Sequence, residues 1–296
     1  MINPLQRWRN YKEHLRFKYS PRVVDWLMDR ASSRARLKLQ ASGPLRILVD
    51  NPVLYHAVTH ETGWVSTGKS NWGPHEIDTG YAARIPVHPP DARSREYRNI
   101  GYLPGIAHLG QAGLLELATS AELQDEQFRQ PSGRYRGYGM FDRSLFSGLR
   151  MPSVDGHVFP DMGPAYLNLP SAEEQQRARI QRRREDPAFD ALVRVLGDGN
   201  SQDAWHLYTA EMHGCFCFLT MDFKFVRTVA AQARNTALRD LTARVLTPEE
   251  LGRELGLMRF PPHLYSYHDA SFFVRSDLSM PTGKRRPHKD HGSAKS

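Results

Sequence analysis

The chain has 296 residues, 40% hydrophobic and 24% charged, which is ordinary for a folded globular protein with room for a sizeable core. No apolar run reaches the roughly 18 residues of a membrane span. Residues 1–20 also lack the apolar centre of a secretion signal, so a cytoplasmic protein is expected. The formal net charge is +8, and residues 1–46 hold eleven Lys and Arg against three acids, so the whole excess lies in one N-terminal arm. A concentrated basic arm points to a polyanionic partner, nucleic acid before others.

Ser20-Pro21 reads as a helix cap with proline at the first helical position, and Val23, Val24, Leu27 and Met28 then share one helical face. The arm, residues 1–44, is expected to be helical to about Gln40, where "ASGP" breaks it. Residues 45–49, "LRILV", form a buried strand ending in Asp50-Asn51-Pro52. Asn51 reads as the cap of the following helix, which leaves Asp50 at the strand tip. Residues 61–100 are rich in Gly, Pro, Trp, His and Arg without period, and read as a long insertion or an ordered loop. A helix over 100–112 leads to the strand "LLELATS" (114–120), whose Ser120 caps the helix "AELQDEQF".

Residues 130–172 are again aperiodic. The helix 171–185, "SAEEQQRARIQRRRE", has no apolar stripe and is exposed or bound to something anionic. Two amphipathic helices follow, "DPAFDALVRVLG" and "SQDAWHLYTAEMHG", then the strand in "CFCFLTMDFKF" and a helix to about Arg234. Cys215 and Cys217 read as small buried hydrophobes and not as a disulfide or zinc pair. Val245-Leu246 is a short strand, Thr247-Pro-Glu-Glu250 a capping box with proline at the first helical position, and Gly256 the stop. Residues 258–296 are polar and basic, and are expected to be disordered.

Strands alternating with helices over 45–256 indicate a parallel α/β sheet, whose ligands sit beyond the carboxyl ends of the strands. Asp50 and Asp222 follow two such ends. Asp203 opens the helix before the second, and the helix after "LLELATS" offers Glu122 or Glu126, four residues apart on one helical face. Two unit charges about 4 Å apart repel by roughly 4 kcal/mol at an effective dielectric near 20. Several such pairs approach a domain's whole stability of about 5–15 kcal/mol. Carboxylates gathered there must take up protons or bind cations, and an all-oxygen set favours Mg²⁺ or Mn²⁺. His56 and His60 are spaced i, i+4 but lack the H-E-x-x-H order of zinc peptidases, and read as structural. There is no phosphate-cradling glycine loop and no G-x-S-x-G elbow.

In this order the segments resemble the PIN domain family of metal-dependent ribonucleases: "LRILVDNPVL", "LELATSAELQDEQF", "SQDAWHLYTAEMHGCFCFLTMDFKF" and "ARVLTPEELGREL". The resemblance covers about residues 45–130 and 187–257. It implies an α/β/α sandwich of PIN type over 45–257, with insertions at 61–100 and 130–186 that the compact family pattern lacks. It implies Asp50, Glu126, Asp203 and Asp222 as catalytic and metal-binding residues, with Glu122, Thr220 and Asn51 in supporting roles; the spacing from Ser120 favours Glu126 over Glu122. It further implies Mg²⁺- or Mn²⁺-dependent cleavage of RNA, with the toxin of a toxin–antitoxin pair, restrained by an inhibitory protein partner, as one version. A catalytically silent module that binds RNA or protein is the alternative.

Overall fold

In the computed structural model of the protein, the residues described are 4–86, 88, 93–129, 143–146, 148–156 and 170–265. The tail expected to be disordered from 258 is instead folded as far as Tyr265, with Phe260 buried in the core; beyond Tyr265 it lies outside the described residues, as does most of 130–169. Helix α1 (Pro4–Ser42) is a single helix that runs through Pro21 instead of starting there, and Gly43, at φ 85°, turns the chain into β1 (Leu45–Val49). Val24, Met28, Ala35 and Leu39 of α1 are buried, but Val23, expected on the same face, is 53% exposed. Adjacent helical residues lie about 100° apart, so Val23 and Val24 cannot both face the core squarely.

After β1 comes α2 (Asn51–His56), whose cap is Asp50 and not Asn51. The aperiodic stretch that follows is a long antiparallel hairpin of β2 (Val58–Trp72) and β3 (His75–Pro86), in place of a loop. Its turn, Gly73-Pro74, places a positive φ of 60° at the first central position and proline at the second, which suits a type II′ hairpin. Then come α3 (Arg95–Ile100), α4 (Leu103–Gln111), β4 (Leu115–Ala118) and α5 (Ala121–Arg129). A short β5 (Arg143–Ser144) pairs with β2. The chain continues through α6 (Ala172–Arg183), α7 (Pro187–Leu196), α8 (Ser201–Met212), β6 (Cys217–Leu219), α9 (Phe223–Ala231), α10 (Thr236–Arg239), β7 (Arg244–Leu246), α11 (Pro248–Leu255) and α12 (Pro262–Tyr265). The expected capping box closes on Thr247 and Glu250, and Gly256 ends α11 in the left-handed conformation at φ 81°.

The main sheet is fully parallel, in the order β4-β1-β6-β7. Strand alternation divides the core. Ile47, Val49, Cys217 and Leu219 face one cluster, with α1, α4 and α11; Leu48 and Phe218 face the other, with α7, α8 and Phe225 of α9. Helices thus cover both faces, as a parallel sheet requires. Both cysteines are free and buried. Among the described residues no helix is long and apolar enough to cross a membrane.

Candidate acidic site

Parallel strands end together, so the residues after β1 and β6 become neighbours despite their distance in sequence. Asp50 N–H donates to Leu219 O at 2.9 Å, which carries the ladder one step past the strand end. There the Thr220 hydroxyl donates to Asp50 Oδ2 at 2.5 Å and accepts from the Asp222 N–H at 2.9 Å. Asp50 Oδ1 accepts from Asn51 N–H at 2.8 Å, so both oxygens of this 5%-exposed carboxyl are held. Asp222 Oδ1 caps α9, accepting from the N–H groups of Lys224 and Phe225 at 2.8 and 3.0 Å.

Glu126 comes in from α5. Its Oε2 accepts from Asn51 Nδ2 at 3.1 Å, and its Oε1 meets His206 Nε2 at 2.8 Å and the Gln202 amide, both on α8. Asp203, in the first turn of α8, is half-buried beside them. Glu122 is not part of this group. It is 1% exposed and turned toward α6, where Arg179 Nε and Nη2 reach its two oxygens at 3.0 and 3.2 Å and Gln176 donates at 2.7 Å. Of the two glutamates, Glu126 is the one that lies beside the other acids. Residues i and i+4 share a helix face only broadly, and here the pair straddles the boundary between two neighbouring helices. The partner of the charged helix is also internal: Arg179 bridges to Asp125 at 3.0 Å as well, and Arg183 lies over the rings of Trp205 and Tyr208.

Electrostatics ties the four acids together. Burial pushes Asp50 up to about 7, against the pull of His206 and the Thr220 hydrogen bond, with Glu126 and Asp203 adding to the rise. Burial likewise lifts Asp203 to about 6; His206 opposes this, and Asp222 and Glu126 add to it. Burial alone would lower His206, but the charge and hydrogen bond of Glu126, with Asp50 and Asp203, override it and raise the imidazole to about 9. Burial would raise Glu126, yet His206, Gln202 and Asn51 hold it below its ordinary value. The cluster therefore holds a cationic His206, 2% exposed, whose Nδ1 has no hydrogen-bond partner among the described residues.

The structure brings the four acids expected from the sequence together with Asn51 and Thr220, and adds Gln202 and His206, which were not expected there. A signal was present: Gln202, Asp203 and His206 fall within one turn of α8, so they crowd the same end of the helix. His56, by contrast, is packed against His88 away from this group, and burial with the charge of His88 lowers it to about 4.

The oxygen donors suit a hard cation, and the raised Asp50 and Asp203 are carboxyls that positive charge would relieve. Among the described residues, however, no three His, Cys, Asp or Glu side chains form a ready-made metal site. The fit is therefore to an ion held by one or two carboxylates, with water and substrate oxygens supplying the rest, the usual habit of Mg²⁺. Comparison of the chain with protein-family models, curated proteins and solved structures found no match.

Proposed function

We propose that the protein is a cytoplasmic, Mg²⁺- or Mn²⁺-dependent endoribonuclease of PIN type. The observation that carries this reading is the electrostatic coupling of Asp50, Glu126, Asp203 and Asp222 at the carboxyl ends of β1 and β6. Asp50 and Asp222 would hold the ion, with Glu126 and Asp203 completing the acidic ring. A divalent ion held there would supply water activation and charge neutralisation for phosphodiester hydrolysis. The chain's own groups do the positioning. Thr220 fixes Asp50 relative to Asp222, and Asn51, Gln202 and His206 fix both oxygens of Glu126. A toxin restrained by a protein inhibitor is one biological setting for such an activity.

His206 favours a second reading, a silent module that binds RNA or protein, because it supplies one positive charge inside the cluster from the protein itself. RNA cleavage with Mn²⁺, comparing the wild type with Asp50→Asn plus Asp222→Asn, separates the two. The nuclease reading expects cleavage by the wild type alone. Equal cleavage by both proteins removes it, and salt-sensitive RNA binding by both without cleavage supports the module.

A further inference from the structure

Helix α1 has two apolar faces. At 100° per residue, Val24, Met28, Ala35 and Leu39 lie on the side packed against the domain. Trp8, Tyr11, Tyr19, Val23, Trp26 and Leu37 fall within about 70° of the opposite line, and they are 65, 61, 44, 53, 58 and 69% exposed. This outer stripe spans about 44 Å at 1.5 Å per residue. Six large apolar side chains in one line are far more than the scattered exposed hydrophobics of an ordinary surface. Arg22 and Arg30, both exposed, lie on the same stripe, and the Arg30 guanidinium stands 5.8 Å from the Trp26 ring centre.

The geometry points to this stripe as the docking surface for an acidic, amphipathic α-helix of a partner protein. Three observations select that occupant. The length, about 44 Å at 1.5 Å per residue, suits a second helix laid alongside. Val23 and Leu37 are aliphatic and offer no face for stacking a base, which argues against a nucleic-acid track. Arg22 interrupts the apolar line between Tyr19 and Trp26, which a lipid interior would penalise but a carboxylate on a facing helix would complement. A second copy of the chain is disfavoured by charge, because two arms with ten basic and three acidic residues each would repel. The partner should therefore present leucine-like residues in its own stripe, with Glu or Asp opposite Arg22 and Arg30.

The test uses the full chain and a labelled synthetic peptide of about 28 residues, leucine at the two seam positions of each heptad and glutamate beside them, a length that matches the stripe. Fluorescence anisotropy is expected to show salt-sensitive binding, weakened about tenfold by Trp26→Ala and by Arg22→Glu. Trp26→Phe should retain most of it, and a peptide with lysine opposite Arg22→Glu should regain it. Unchanged thermal melts would confirm that these exposed substitutions leave the fold intact. No binding by the acidic peptide, or binding indifferent to both substitutions, overturns the proposal. So does an RNA oligonucleotide or a phosphatidylserine vesicle binding through Trp26 and Arg22 where the peptide does not. None of these readouts involves cleavage, so the outcome is independent of the acidic site.

Discussion

Asp50 and Asp222 are joined through a single side-chain hydroxyl: Thr220 Oγ1 donates to a carboxylate oxygen of the first and accepts the backbone N–H of the second. The two acids lie beyond different strands, and this hydroxyl bridges them directly. It also occupies one oxygen of a carboxyl that is almost wholly enclosed by protein.

Replacing Thr220 with valine keeps the shape and removes the donor. Asp50 Oδ2 then loses its partner in a buried setting, at a cost of about 1–3 kcal/mol. The Thr220 bond also pulls Asp50 downward, so its loss should raise this carboxyl further and cost more at pH 8 than at pH 5. Urea unfolding at the two pH values measures this, and Thr220→Ser should restore most of the difference.

Stability without divalent ions should fall as pH rises from 5 to 9. Asp50 and Asp203 are raised in the folded state to about 7 and about 6, so ionising them opposes folding, increasingly up to those values. His206 is raised to about 9, so its contribution is complete below its ordinary value of 6.5 and is lost as pH passes 9. Glu126 works the other way, being lowered, and loses its contribution only below its ordinary 4.5. Thermal melts across this range, with and without millimolar Mg²⁺, test the sign. Mg²⁺ should raise the melting temperature more at pH 8 than at pH 5, and a profile flat in pH would contradict the coupling.

Glu126 and Arg179 should separate chemistry from architecture. Glu126→Gln removes a negative charge from the cluster, and the proposed nuclease reading expects it to abolish cleavage by the folded protein. Arg179→Met leaves Glu122 and Asp125, 1% and 6% exposed, without their shared cation, and should cost about 3 kcal/mol. Its cleavage rate, measured well below its melting point, should stay near that of the wild type.

Gly252→Ala tests the packing of α11. An alanine normally favours a helix by about 1 kcal/mol over glycine. Here a Cβ would come within 2.3 Å of Cδ1 of the Tyr102 ring, so the sign should reverse, with a loss of about 1–3 kcal/mol in chemical denaturation.

The parallel sheet and the four acids were legible because each rests on local signals: β1 and its terminal aspartate, the Ser120 cap, and the Thr247 capping box with its proline. The hairpin of β2 and β3 was not legible, since Gly, Lys and Asn interrupt its alternation and the pairing, not intrinsic preference, makes the strands. Nor was the docking of α6, because Arg179 looks like any solvated arginine until Glu122 and Asp125, more than 50 residues earlier in the chain, are placed opposite it. His206 was missed for a related reason: besides Asp203 on its own helix, the acids that make it a buried cation, Glu126 and Asp50, lie on elements far away in sequence.

The bond between Thr220 and Asp50 joins residues 170 positions apart. During synthesis, Asp50 emerges long before the strand that will stand beside it, and no cluster can exist until the segment through Asp222 has left the ribosome and threaded into place next to β1. The acidic cluster is therefore a product of late, long-range pairing, and any chain that stops short of Asp222 lacks it.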